Sequence, residues 1–318
     1  AERTRLIKVP LHHLGGVVLF ANATMSPQAM ARCVADGREV TFLDYGGRFL
    51  CRVVGPTHGN VLLRRVQYEA VRSESAAREM ARRLVAGKLR NSRQVLLRSA
   101  RDAEESPRRT RMAGVAAELA VALSRLEQTP TLEGIRGIEG EMAARYFAVF
   151  GDLLTVETTA FAFAQRTRRP PRDRVNALLS FLYSLLTHDC TSALEGVGLD
   201  PQMGFLHAMR PGRPALALDL VEEYRAGVAD RLALTLINRR QLRPEHFSIR
   251  EEAGESVLLN DEGRKAVLVA YQKRKEEPVA HRFLKEPVPL GLVPHLQARL
   301  LTRYLRGELT QYEPFLFT

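Results

Sequence analysis

The chain has 318 residues, 45% hydrophobic and 26% charged, an ordinary composition for a soluble globular protein of about two domains. No apolar run approaches the ~18 residues of a membrane span, no signal-peptide pattern opens the sequence, and Cys33, Cys51 and Cys190 have neither metal-ligand spacing nor the even count of a disulfide framework. A reduced, cytoplasmic protein away from membranes is therefore expected, and its net charge of +11, mostly from arginine, favours polyanionic partners.

Residues 1–72 read as short strands. LIKV at residue 6 and VVLF at residue 17 are β-rich runs broken by Pro10 and by Gly15-Gly16. Ser26-Pro27 has the form of an N-cap followed by proline in the first helical turn, and that helix should stop at Gly37. The runs at 40–43 and 49–54 flank Asp44-Tyr45-Gly46-Gly47, a hairpin signature. From residue 73 onward helix formers dominate. Residues 76–105 read as helix interrupted by Gly87, and a second helix spans about 111–127. Thr129-Pro130 precedes a third, starting near Thr131, and residues 177–186 read as a core helix. Proline pairs at 170–171 and 211/214 mark further breaks, and no internal repeat or low-complexity tract is visible. The expected fold is α+β: a small N-terminal β-rich domain (1–72), then a larger all-helical domain (73–318).

Three groups of residues carry possible chemistry. Leu132, Ile135, Ile138, Met142 and Tyr146 form a helical stripe, and Glu139 lies beside it with Ala143, Tyr146 and Phe147 on its own face. A carboxylate there is neutralised by desolvation unless a cation faces it. A buried Glu–Arg pair is the ordinary alternative to a functional role. The stretch MGFLHAMRPGRPALALDLVEEYR, residues 203–225, places His207 before a turn and presents Asp219 and Glu222 three residues apart on one helix face. An imidazole with carboxylates suits Mn²⁺ or Mg²⁺ and not a structural zinc site, which wants thiolates. A lone histidine is more often a core or surface residue. Finally, residues 75–112 hold ten arginines and Lys88 against four acids, and residues 166–174 hold five arginines. Such runs are often solvated faces, but the scarcity of acids favours nucleic acid.

The sequence resembles the CRISPR-associated spacer-acquisition integrase family, from LIKVPLHHLGGVVLF to RGELTQYEPFLFT. The most specific stretches are GIEGEMAARYF, RRPPRDRVNALLSFLYSLL, GFLHAMRPGRPALALDLVEEYR and VADRLALTLINRRQL. The resemblance implies metal ligands at Glu139, His207 and Glu222, with Asp219 beside them as a lesser site acid. It also implies an N-terminal β domain that dimerises and a helical catalytic domain. The implied partners are a second copy of the chain, a small ferredoxin-like CRISPR protein, and double-stranded DNA as both prespacer and CRISPR repeat. An iron–sulfur exonuclease is a further partner or fused domain in some systems. The family usually has one or two strands ahead of the equivalent of residues 2–9, so this sequence is expected to start inside the β domain.

The activity expected is a metal-dependent DNA endonuclease and integrase, with Arg166, Arg168, Arg169, Arg172, Arg210 and Arg213 as DNA contacts. An inactive DNA-binding scaffold of the same assembly would lack a ligand, and a DNA-packing protein would not need an inward-facing Glu–His–Glu set.

Overall fold

Ser26 and Pro27 begin the first helix as their chemistry dictates. In the computed structural model, which describes residues 7–14, 16–45, 49–55, 61–156, 159–250 and 256–317, α1 spans Pro27–Ala35 and the Ser26 hydroxyl accepts a hydrogen bond from the Ala29 amide at 3.2 Å. Gly37, at φ +70°, ends it in a conformation that costs glycine nothing. α1 connects β1 (Gly16–Phe20) to β2 (Glu39–Leu43), which run parallel, and β3 (Phe49–Val53) pairs antiparallel with β2. A parallel pair needs such a crossover. Cys33, Val40 and Leu43 are buried in this unit. The β2–β3 hairpin is the one expected from sequence, although Gly46 and Gly47 of its turn lie outside the described residues. Residues 7–10 join no strand and lead into a 3₁₀ turn at Leu11–His13, because Pro10 has no N–H to give a ladder.

The chain divides into two compact units, Ala1–Gly59 and Asn60–Thr318. Residues 61–72, read as part of the β-rich region, instead form α2 (Val61–Arg72) in the second unit. Its buried face is Leu63 and Gln67, one helical turn apart. The Gln67 amide donates to the carbonyls of Asp200 (2.8 Å) and Met203 (3.1 Å). A glutamine satisfied that way belongs inside, which a hydrophobic pattern does not signal.

The remaining helices are α3 (Glu74–Asp102), α4 (Pro107–Gln128), α5 (Leu132–Ala148), α6 (Arg174–Gly196), α7 (Ala215–Val221), α8 (Arg231–Asn238), α9 (Asp261–Glu276) and α10 (Val293–Leu305). Two hairpins, β4 (Phe247–Arg250) with β5 (Ser256–Leu259) and β6 (Pro278–His281) with β7 (Glu286–Pro289), add strands to a unit expected to be all helix. α6 buries Val175, Leu178, Leu179, Leu182 and Leu186 among others, and forms the centre of the core. α3 packs against both α4 and α5. It runs unbroken through Gly87, where a Cβ would stand 2.7 Å from Cβ of Pro314. That glycine is a crossing point for the C-terminal segment, not a helix break.

Candidate functional site

α5 starts at Thr131, whose hydroxyl accepts from the Gly134 amide at 3.1 Å. Its buried stripe is Ile135, Ile138, Met142 and Tyr146, and Glu139 lies half-buried at the edge of that stripe. The cation that faces it comes from α3. Lys88 stands one turn beyond Leu84 on the buried side of that helix, its side chain only 11% exposed. The Lys88 ammonium donates to Oε1 of Glu139 and lies 2.8 Å from Oε2 of Glu222. The ordinary expectation for Glu139, a buried pair with a basic side chain, is met by lysine in place of arginine, and the pair reaches on to a second carboxylate.

The loop before α7 is tied to that helix by one side chain. Asp219 is fully buried, and its carboxylate accepts from the amides of Phe205 (2.6 Å), Leu206 (3.0 Å) and His207 (2.9 Å). Gly204 permits this, since a Cβ there would meet Asp219 Oδ2 at 2.8 Å and the Ala215 backbone at 2.6 Å. The same carboxylate holds Nδ1 of His207 at 2.7 Å. That contact orients the ring and leaves Nε2 as the free nitrogen, 3.7 Å from Oε1 of Glu222.

Glu222 follows the last turn of α7 and is 1% exposed at its side chain. Burial alone would raise its pKa, but Arg225, Lys88 and His207 outweigh it and hold the carboxyl down at about 2. Arg225, 3.1 Å from Oε1, opens a π-helical turn, Arg225–Asp230. Such turns re-aim side chains relative to a regular helix and recur at functional sites. The guanidinium of Arg225 also stacks on Tyr183 of α6, 4.9 Å from the ring centre. Oε2 of Glu222 is buried with the Lys88 ammonium 2.8 Å away and without a well-aligned hydrogen bond.

Behind the cluster lie two further buried carboxylates. Asp230 accepts from the hydroxyls of Tyr146 (3.1 Å) and Tyr183 (2.6 Å), joining α5 and α6 to the π-helical turn. Burial raises its pKa to about 6 against those two donors. Glu223 accepts from Tyr312 (2.6 Å), the Phe315 amide (2.7 Å) and Gln297 (3.0 Å), so the residue next to Glu222 anchors the C-terminal segment. Burial raises its pKa to about 7, the three hydrogen bonds opposing it.

Of the arginines expected to face DNA, Arg168, Arg169, Arg172 and Arg210 are exposed and Arg213 is half-buried. Arg166 is placed differently from these. Its guanidinium turns inward to Asn176 Oδ1 (2.7 Å) and Ser180 Oγ (3.1 Å) and stacks on Tyr183, fixing the loop ahead of α6. Charge counting cannot separate such a strut from its solvated neighbours. Lys88, Arg225 and Glu223 were not singled out by sequence. The one signal for Lys88 was a lone lysine among arginines, in helical register with Leu84 and Val95.

The donors Glu139, Glu222 and Nε2 of His207 fit a hard divalent cation: carboxylate oxygen, one imidazole nitrogen, no thiolate, and a buried oxygen lacking a good hydrogen bond. Among the described residues no three His, Cys, Asp or Glu side chains close on one point as they stand. The Lys88 ammonium is what lies between the two glutamates.

A β-rich leading unit followed by a mainly helical unit with this buried acid–imidazole–cation cluster makes this an α+β protein with a candidate metal centre. The chain belongs to the Cas1 family: the model described as CRISPR associated protein Cas1 matches residues 1–273. It is 52% identical over 311 residues, 98% of this chain and 90% of the relative, to a CRISPR-associated endonuclease Cas1 of Moorella thermoacetica. It is 39% identical over 99% of its length to a Cas4 exonuclease/Cas1 endonuclease fusion of Geobacter sulfurreducens, of which it spans 56%. The fold is also that of a casposase bound to its integration product (TM-score 0.81, 23% identity, 93% of this chain and 80% of that one). It matches as well a chain of a Cas6-RT-Cas1–Cas2 complex (TM-score 0.80, 24% identity, 95% and 32%). No helix among the described residues is long and apolar enough to cross a membrane.

Proposed function

We propose that the protein is a metal-dependent DNA endonuclease and integrase that inserts short DNA segments into a CRISPR repeat array by transesterification. The observation that carries this is the meeting of Glu139 from α5, His207 from the loop ahead of α7 and Glu222 from the end of α7 in one ion-pair cluster. Relatives named Cas1 endonucleases and an excess of arginine support it. Glu139, His207 and Glu222 would hold Mg²⁺ or Mn²⁺, which would polarise a phosphoryl oxygen and ease deprotonation of the attacking hydroxyl. Asp219 keeps Nε2 of His207 pointed toward Glu222. Arg210 and Arg213, close behind His207 in the same loop, offer positive charge to the phosphate. A 3′-hydroxyl of the incoming DNA forms a new P–O bond as the target strand's P–O3′ bond breaks. The proton leaves the attacking oxygen and the departing 3′-oxygen gains one. Water in place of the 3′-hydroxyl gives plain nuclease activity.

The assembly proposed is a homodimer joined through the N-terminal unit, two dimers meeting a small ferredoxin-like partner of the Cas2 kind on DNA, in the cytoplasm. The Cas1–Cas2 complex among the structural neighbours supports the partner, and the Cas4–Cas1 fusion supports an exonuclease associate. The deciding experiment is joining of a short duplex to supercoiled plasmid with and without Mn²⁺. Wild type should join only with the metal, and Glu139→Ala should lose joining yet bind DNA. Metal-independent joining, or equal loss of binding and joining in the variant, overturns the reading.

A further inference from the structure

Away from the acidic cluster, α3 carries a second constellation. At 100° per residue, Arg90 and Arg93 lie about 200° and 140° around the helix from Lys88, on its opposite side. With Arg282, from the β6–β7 turn, they line an open cleft of about 490 Å³, bounded also by Gln94, Leu123 of α4 and Phe317. No acidic residue lines it. None of the three arginines has an ion pair among the described residues, and Arg93 Nε is buried without a hydrogen-bond partner. Elsewhere in this chain arginines are commonly paired: Arg111 with Asp152, Arg125 with Glu141 and Arg225 with Glu222. Arg90 and Arg282 are exposed and Arg93 is half-buried, and three guanidinium groups without acidic partners around one hollow give it a positive potential that favours an anion. An adjoining recess shares Arg90 and is of mixed charge, with Arg82 and Arg83 beside Glu79, Glu127 and Glu313.

The wall of the cleft is built in advance. Asn91 is buried, donates to the carbonyls of Glu223 and Phe315 (both 2.8 Å), and accepts from the Phe317 amide at 3.0 Å. That clamp holds residues 315–317 against α3 and sets an aromatic ring beside the arginines. Cavities of about 300–1,000 Å³ are the usual size for small-ligand sites. Guanidinium forks match phosphate oxygens bidentately.

We infer that this cleft is a phosphate-binding site, separate from the Glu139–Lys88–Glu222 cluster, that takes the phosphoryl group of a nucleotide with its apolar part against Phe317 and Leu123. The phosphoryl group comes either from a free nucleotide or from a DNA backbone, and the inference does not depend on the joining reaction.

The test uses the full chain and three probes: inorganic phosphate and deoxyadenosine monophosphate by calorimetry, and a blunt fluorescent duplex by anisotropy across a salt series. The Arg90→Ala/Arg93→Ala/Arg282→Ala variant should bind the phosphate probes at least about tenfold more weakly, and the triple lysine variant should keep part of the affinity by retaining charge without the forks. If the ligand is DNA, duplex affinity falls as well, and the slope of log K against log salt becomes shallower by about 0.9 for each phosphate no longer neutralised. If it is a free nucleotide, duplex affinity and that slope stay, and only the binding of inorganic phosphate and deoxyadenosine monophosphate weakens. Arg90→Glu, a change at an exposed position, should reproduce the direction of the effect if the triple variant melts early. Binding of all three probes unchanged in both variants overturns the inference, as does a wild type that binds neither phosphate probe.

Discussion

At the scale of single residues, the cluster is organised by two side chains that are not themselves metal donors of the proposed site. Asp219 answers three backbone amides and one imidazole nitrogen, so its carboxylate is fully used in orienting His207. Asp219→Asn replaces one acceptor oxygen with a donor. It should weaken metal use about 10–100-fold, the usual cost of disturbing a ligand's support, with activity recovered at saturating Mn²⁺. A Mn²⁺ titration of joining checks this, and no rescue at high metal would make Asp219 a direct participant. Lys88 neutralises Glu139 and Glu222 from inside the unit. Lys88→Met leaves two facing carboxylates with only Arg225 and His207 to offset them, and breaking a buried ion pair costs roughly 3 kcal/mol. Denaturant unfolding in chelator should show that loss, and Mn²⁺ should restore much of it by supplying the missing positive charge. A midpoint unchanged in chelator would mean that the ammonium contributes no net stability.

At the scale of elements, the C-terminal segment is locked to the end of α7 by Glu223, and the lock has a pH dependence of defined sign. Burial holds the Glu223 pKa at about 7, above the ~4.3 of an exposed glutamate. Between those values the folded state binds more protons than the unfolded state. Stability from this group is therefore greatest below about pH 4 and declines as pH rises toward 7. The whole effect is at most about 4 kcal/mol. Glu222 works in the opposite sense, its depressed pKa of about 2 giving stability that is lost only as pH falls below 4. Glu223→Gln should therefore flatten the stability curve between pH 5 and 7, measured by urea midpoints. An unaltered slope in the variant would assign the pH dependence to another group, with Asp230, raised to about 6, the next to test.

At the scale of the molecule, the two compact units have different work. The first, residues 1–59, shows among its described residues a three-stranded sheet, one α-helix and a small buried core, while the second carries every residue of the proposed site. Pairing of the first unit with its copy is the use proposed for it. Sedimentation at micromolar concentration should give a dimer, and deleting residues 1–59 should leave a folded monomer. A wild-type monomer under those conditions would remove the pairing role.

The amino-acid sequence by itself determined the α+β division, the cap at Ser26, the start of a helix near Thr131 and the hairpin partners β2 and β3, and it singled out Glu139, His207, Asp219 and Glu222. All of these depend on interactions within a few residues of chain or on motifs that carry their own spacing. It misplaced α2, because Gln67 is buried through carbonyls more than 130 residues away. It read Gly87 as a break, because the reason for that glycine is Pro314 on another segment. It grouped Arg166 with solvated arginines and passed over Lys88 and the Arg90–Arg93–Arg282 hollow. A charged side chain looks the same in sequence whether water, a carboxylate or an empty cavity faces it. Only the tertiary structure decides which, since the cost of burying a charge depends on partners that folding brings from distant parts of the chain.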